Sequence, residues 1–379
     1  MAPAADVYWL AMRRVRGVGP RTARLLLERF GSAERVFQAC KAELAAVGIP
    51  QPTVGNILAF TDFAPIEKEL CELPKIGARL VRWNDPDYPV NLRQIADPPP
   101  FFFMRGTVTA DDPKCIAVVG ARAASDAGRR MAQRLGMELA GKGFTVVSGL
   151  ARGIDSEAHQ GALDAGGRTV AVLGCGVDVI YPPENRKLAE AIIETGGALL
   201  SELPIGTPPL AENFPARNRL ISGMCLGVVI VEAAEKSGSL ITARTALEQD
   251  RQVFAVPGSP LNGKTRGSNR LLKDGARLVD CVEDVLEELL PQLGGSTPGG
   301  RPAVASDESA GSKVDDKTLE NESLEVKNLL VLLQNADRLH VDALIDGAGL
   351  NVQTVLKLLL ELELRGLVTQ HPGKLFSLA

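Results

Sequence analysis

Between residues 115 and 274, six short runs of valine, isoleucine, leucine and alanine alternate with helix-like stretches, and this alternation narrows the fold more than any other feature. The runs are 115–120 (CIAVVG), 144–148 (FTVVS), 169–174 (TVAVLG), 198–201 (ALLS), 227–232 (GVVIVE) and 253–256 (VFAV). Helix-like stretches cover 126–141, 155–165, 185–195, 214–223, 239–249 and 268–274. Runs that are apolar throughout, not at alternate positions, predict strands buried on both faces, hence a parallel sheet with helices on either side. The predicted class is α/β, a Rossmann-like doubly wound parallel sheet, and such sheets bind ligands at the carboxyl ends of their strands.

At 379 residues the chain is too long for one domain. Residues 291–320 are rich in Pro, Gly, Ser and acidic side chains without apolar periodicity, which predicts a flexible linker. A softer boundary is expected around 98–113, where DPPPFFFMRGTVTADDP breaks the pattern. The expected organisation is a helical module over 1–80, the α/β domain over 81–290, the linker, and a small module over 321–379.

The charge balance excludes bulk attraction to nucleic acid: 42 basic residues against 46 acidic ones leave a net charge of −4. Local basic sites remain open, because phosphate affinity depends on where charges sit. The six cysteines, at 40, 71, 115, 175, 225 and 281, contain no CxxC pair and read as buried small hydrophobes in a reducing compartment. His159, His340 and His371 are too scattered for a histidine metal site, so no metal is expected. MAPAADVYWLAMRR is unlike a secretory leader, and no apolar stretch approaches the roughly eighteen residues of a span, so a cytoplasmic location is expected.

The residues after each predicted strand should line the site. They include Gly120 and Arg122 after the first, Ser148, Gly149, Arg152 and Asp155 after the second, and Tyr181 to Asn185 beyond the third, followed by Lys187. Ser201 and Glu202 end the fourth, Glu232 leads to Lys236, Ser237, Gly238, Ser239 and Thr242, and Lys264 follows the sixth. Glycines and hydroxyls before helix starts expose backbone N–H groups that cradle anions, and arginines beside them add phosphate contacts. Tight turns need glycine anyway, so it is the conjunction with Arg122, Arg152, Arg217, Arg219 and Lys187 that points to a phosphate-bearing ligand.

The first turn reads GARAAS, not GxGxxG, and GxxxxGK[ST] is absent, so neither a dinucleotide nor a P-loop ATP site is expected and no cofactor is implied. Ser148 and Ser237 lack a histidine base, so no catalytic residues are assigned. His159 is placed to pair with Asp155 at i, i+4, or to be a satisfied helix histidine. Asp155, Glu202 and Glu232 fit acid–base work or, alternatively, ion pairs that orient the arginines.

At these residues the chain resembles the DprA/Smf family of DNA-processing proteins. The resemblance rests on AVVGAR at 117–122, VSGLARGID at 147–155 with His159, AVLGCGVDVIYPPEN at 171–185 and SE at 201–202. It continues through FPARNRLISG at 214–223, SGSLITA at 237–243 and VFAVPG at 253–258, spanning the whole middle domain. It implies an extended Rossmann fold that binds single-stranded DNA as a homodimer in natural transformation. It also implies protection of incoming strands, loading of the RecA recombinase and displacement of single-strand-binding protein. The family's DNA pocket implies roles for Arg122, Phe214, Arg217, Asn218 and Arg219. Arginines would pin phosphates and the ring of Phe214 would stack on a base, unless that ring is core packing.

Two small modules flank this domain. Val15 to Thr22 between two helical stretches predicts a helix-hairpin-helix carrying Arg13, Arg14, Arg16, Arg21 and Arg24, or else a SAM-like protein-interaction module. Residues 323–379 predict helices at 323–334, 341–348 and 352–364 and a β-hairpin in VTQHPGKLFSL, a winged helix-turn-helix pattern. Its third helix offers Gln353, Thr354 and Lys357 but also Glu361 and Glu363, which favours a protein contact over groove binding. Two other functions fit parts of the chain. One is a nucleotide-processing enzyme like the lysine-decarboxylase-like phosphoribohydrolases, with SGSLITARTALE at 237–248 for their PGGxGTxxE loop and Glu248 as its acid. The other is a winged-helix regulator reading duplex DNA through 323–379.

Overall fold

The computed structural model describes residues 4–108, 112, 114–289, 324–334, 339–348, 354–355, 358–359, 362, 368–371 and 375–378. They fall into two compact units, Met1–Pro298 and Gly299–Ala379. The first unit opens with helices α1 (Ala4–Arg14), α2 (Pro20–Phe30), α3 (Ala33–Gln38), α4 (Lys41–Ala45), α5 (Gln51–Leu58) and α6 (Ala64–Glu72). Strand β1 (Ala78–Arg82), the one-turn helix α7 (Val90–Arg93) and strand β2 (Phe101–Gly106) follow. Then come β3 (Cys115–Val119), α8 (Asp126–Gly141), β4 (Thr145–Ser148), α9 (Ile154–Asp164), β5 (Thr169–Val172), α10 (Arg186–Glu194), β6 (Ala198–Ser201) and α11 (Asn213–Met224). The unit closes with β7 (Gly227–Ile230), α12 (Ser239–Glu248), β8 (Gln252–Ala255), α13 (Arg266–Lys273), β9 (Arg277–Leu278) and α14 (Val282–Leu289).

All nine strands join one sheet in the order β1-β2-β6-β5-β4-β3-β7-β8-β9. From β6 to β9 every neighbour is parallel, as the apolar runs predict. Strand side chains alternate between two faces. Ile116, Val118, Val146, Val229 and Phe254 bury themselves with Leu135, Ala158 and Val285 of α8, α9 and α14. Ala117, Val119, Val147, Val228 and Ile230 pack with Leu220, Ile221, Ala243 and Ala246 of α11 and α12.

The stretch around 98–113, where a softer boundary is expected, contains a strand. Phe101–Gly106 is a sheet strand, antiparallel to both β1 and β6. Phe101 and Phe103 lie in one core with Trp9, Leu10, Leu26, Leu44 and Ile66 of the N-terminal helices. Phe102 and Met104 point the other way, with Phe102 5.4 Å from the Tyr88 ring. The helix–hairpin–helix expectation is met by α1 and α2, with Gly19 at the α2 N-cap and Pro20 in its first turn. The arginines there are partly engaged inside the unit: Arg14 pairs with Glu69, and Arg24 pairs with Glu28 and donates to the Ile95 carbonyl.

Cys115, Cys175 and Cys225 are buried as expected, whereas Cys40 and Cys71 are exposed. Among the described residues no helix is long and apolar enough to cross a membrane. The second unit contains α15 (Leu324–Gln334), α16 (Val341–Ala348) and a three-stranded antiparallel sheet of β10 (Leu339–His340), β12 (Leu375–Leu378) and β11 (Val368–His371). Val326, Leu329, Leu330, Leu344, Val355, Leu359 and Phe376 form its core. The hairpin of β11 and β12 is the expected wing, and β10 adds a strand to it. Gln353, Lys357, Glu361 and Glu363, on which the character of the third helix turns, lie outside the described residues.

Candidate functional site

Strand order reverses between β3 and β7: β4, β5 and β6 lie to one side of β3 while β7, β8 and β9 lie to the other. The two connections leaving β3 and β7 therefore diverge, which opens a crevice at their carboxyl ends. A cavity of about 700 Å³ occupies it. Gly120 and Arg122 enter from the β3–α8 turn, and Lys236, Ser237, Gly238, Ser239 and Thr242 from the β7–α12 turn and α12. Phe214, Arg217 and Asn218 of α11 form the opposite wall, and Tyr181, Asp155 and Lys264 complete it.

Buried hydrogen bonds fix these turns. Glu232 is 1% exposed; its Oε2 accepts from the Ser125 N–H (2.9 Å) and Oγ (3.0 Å), and its carbonyl accepts from the Ala121 N–H (2.7 Å). Ser125 in turn caps α8 by accepting from the Gly128 N–H. Glu232 thus joins the ends of β3 and β7 instead of pairing with an arginine. A carboxylate–arginine pair does form at Glu202, which accepts from Arg219 Nη2 at 2.5 and 2.6 Å.

Arg217 and Asp155 hold the β4–α9 loop from within. Arg217 is 6% exposed and donates from Nη1 to the Gly149 carbonyl at 3.0 Å. Burial lowers its pKa to about 10, against the pull of the Asp155 carboxylate, so it stays charged at neutral pH. Asp155 accepts from the N–H groups of Gly149 (3.1 Å) and Ala151 (3.4 Å); burial raises its pKa while Arg217 and those two donors lower it. The loop they fix includes Leu150, buried with φ +57°. Position 149 must be glycine for this contact, since a Cβ there would lie 2.5 Å from Arg217 Nη2.

Arg122 is the opposite case. It is exposed, its guanidinium lies over the Phe214 ring at 5.1 Å from the centroid, and Phe214 meets Tyr181 at 5.8 Å. Among the described residues no carboxylate pairs with Arg122, Lys236 or Lys264. Asp155 is the one carboxylate lining the cavity, so the lining carries a positive excess suited to an anion.

Of the residues expected at the site, Gly120, Arg122, Phe214, Arg217, Asn218, Ser237, Gly238, Ser239 and Thr242 converge on this cavity. Gly149 and Arg152 line a smaller recess beside it that shares Arg122, Tyr181 and Phe214. Four others do not line the cavity. Ser148 is buried and donates to the Val118 carbonyl. Asn185 clamps the β4–α9 loop by donating to the Leu150 carbonyl and Ser156 Oγ. Arg219 is engaged by Glu202 and Asp97, and Lys187 is exposed on α10. Arg152 carries an ion pair with Glu184. Tyr181, Lys236 and Lys264, each expected at the site from its place after a predicted strand, line the cavity as well.

His159 does not meet Asp155. Its Nδ1 lies 2.6 Å from Thr169 Oγ1, whose own hydroxyl donates to the Val146 carbonyl, so Nδ1 carries the proton. Burial, with Arg217 adding to it, holds the imidazole neutral with a pKa of about 3. The unfolded state therefore takes up a proton near pH 6.5 that the folded state refuses, and stability is lost as pH falls from 6.5 toward 3. In urea denaturation across that range, His159→Gln flattens this acid limb relative to the parent; an unchanged limb would locate the proton uptake elsewhere. Asp155, with its raised pKa, acts in the opposite sense in both proteins, so the difference isolates His159.

Glu248 stands exposed at the last residue of α12. It does not line the cavity, whose last lining residue on that helix, Thr242, lies about 9 Å before it at the rise of an α-helix. The acid required by the phosphoribohydrolase-like reading is therefore not at the site.

A doubly wound sheet with a cation-rich cavity at its switch point, preceded by a helical hairpin, defines a Rossmann-like α/β protein. Residues 79–290 match the family model of DNA recombination-mediator protein A, residues 316–374 the DprA winged helix domain, and residues 10–61 a SAM-like helix-hairpin-helix tandem. The chain belongs to the DNA recombination-mediator protein A (DprA/Smf) family. It is 35% identical to protein Smf of Synechocystis over 98% of both chains, and 42% identical to protein Smf of Escherichia coli over 81% of this chain and 79% of that one. The crystal structure of DNA processing protein A from Streptococcus pneumoniae superposes with a TM-score of 0.64 at 36% identity, covering 74% of this chain and 97% of that one. The corresponding protein of Helicobacter pylori, described for its single-stranded DNA binding mode, gives 0.51 at 29% identity over 57% of this chain and 96% of that one.

Proposed function

We propose that this protein is a recombination mediator that binds single-stranded DNA in the cavity between β3 and β7. The observation that carries the reading is Arg122: an unpaired guanidinium lies on the half-buried Phe214 ring beside a cavity that also holds two unpaired lysines. This arrangement offers a strand both of its handles at once, a phosphate and the flat face of a base. The single-stranded DNA binding mode of the Helicobacter pylori relative supports it. The cavity is compact, so a protomer engages a few nucleotides and a longer footprint needs a second copy. On this reading the protein acts as a homodimer, protects incoming strands, displaces single-strand-binding protein and loads RecA in natural transformation. Domain divisions at 80/81, 290/291 and 320/321 accompany this assignment.

Fluorescence anisotropy with labelled oligo-dT and a matched duplex, across a salt series, tests the first step. Preference for the single strand, falling steeply with salt, is expected. Preference for the duplex would shift the function to the winged helix unit instead.

A further inference from the structure

The cavity has two chemically unlike ends. At one, Phe214, Tyr181 and Arg122 present ring faces and a guanidinium. At the other stands the start of α12, a ten-residue helix with no side-chain cap and no acidic residue in its first turn. Its first N–H groups are already taken, Ser239 by Ser237 Oγ at 3.4 Å, Leu240 by the Ser237 carbonyl and Ile241 by the Gly238 carbonyl, so what it offers an anion is the helix dipole, common enough to mean little alone. Thr242 is the second, independent observation. It is 2% exposed, it lines the cavity, and its hydroxyl has no hydrogen-bond partner among the described residues. Ser239, 8% exposed, sits one turn earlier with its Oγ 2.7 Å from Ser237 Oγ. Lys236 and Lys264 also line the cavity, and Asn218 ties the turn to α11 by donating to the Gly238 carbonyl at 3.4 Å.

A bare anion would leave the aromatic end unused, and a base alone would leave Thr242 and the lysines unused. We propose that the cavity accommodates one nucleotide as a unit, with a terminal phosphate monoester against Thr242 and the start of α12 and its base on Phe214. The inference rests on the single-strand reading of the same cavity and sharpens it. A phosphodiester inside a strand brings one negative charge, whereas a monoester brings about 1.5 to 2 at neutral pH. Two lysines without carboxylate partners, Lys236 and Lys264, favour the second. The ligand is thus a nucleoside monophosphate, supplied either free in solution or as the phosphorylated end of a strand.

The test uses the full chain and anisotropy of an internally labelled oligo-dT. Thymidine monophosphate is expected to displace it, thymidine and inorganic phosphate to do so far less, and a 5′-phosphorylated oligo-dT to bind about tenfold more tightly than the 5′-hydroxyl form, the scale of one added charged hydrogen bond. Thr242→Val and Lys264→Ala should each narrow that ratio. Displacement by the free nucleotide without a gain from the end phosphate assigns the site to free nucleotides; the reverse pattern assigns it to strand ends. If oligo-dT binds but neither effect appears, the single-nucleotide inference is wrong and the single-strand reading stands. If inorganic phosphate competes as well as the nucleotide, the base end has no part in it and the inference also fails. If calorimetry shows thymidine monophosphate binding while oligo-dT does not bind, the single-strand reading falls and this one holds.

Discussion

Arg217→Ala is expected to destabilise the first unit by about 3–5 kcal/mol, the range for leaving a buried charge without its compensation. The guanidinium is enclosed, holds the Gly149 carbonyl, and offsets the buried carboxylate of Asp155. Its removal strands both. Urea denaturation measures the loss, and Arg217→Met combined with Asp155→Asn should recover much of it, because the isolated charge is then gone. The same variant separates two roles that the sequence motif allows. If Arg217 fixes the β4–α9 loop, Arg217→Ala weakens oligo-dT binding without changing the salt slope. A variant of wild-type stability whose slope falls by roughly 0.7, the share of one phosphate contact on a single strand, would make Arg217 a phosphate ligand instead.

Arg122→Ala and Phe214→Ala are each expected to weaken oligo-dT binding by about 1–3 kcal/mol, through a lost charged contact and a lost stacking surface respectively. Because the guanidinium lies on the ring, their effects should couple by about 0.5–2 kcal/mol in a double-mutant cycle. Arg122→Ala should also reduce the salt slope, which Phe214→Ala should not. Strict additivity would mean that the stacked pair separates when DNA binds.

The parallel core was legible because strands buried on both faces leave unbroken apolar runs, and the cavity because its residues follow those runs directly. Strands β1 and β2 were harder to see. PPPFFFMRG carries its prolines before the strand, and three consecutive phenylalanines hide the alternation by which Phe102 faces away from Phe101 and Phe103. Arginine roles were least legible. Arg122, Arg217 and Arg219 look alike in sequence, yet one is free on a ring, one is sealed against Gly149 and one is held by Glu202. Only the partners distinguish them, and the sequence distance to Glu202 or Gly149 carries no local signal.

Strand β2 also bears on how the protein reaches its fold. Phe103 faces Ser201 and Met104 faces Leu200, so the chain must travel nearly a hundred residues, through three parallel strands and their helices, before this edge can close. Such distant pairing is slow, because loop entropy is lost before contacts reward it. The N-terminal helices, whose core includes Phe101 and Phe103, must wait for that closure to bury their apolar faces fully. Emerging from the ribosome before β6, they must wait for it to complete their core, and a chain cut short before β6 would carry a phenylalanine-rich strand with no neighbour on one side.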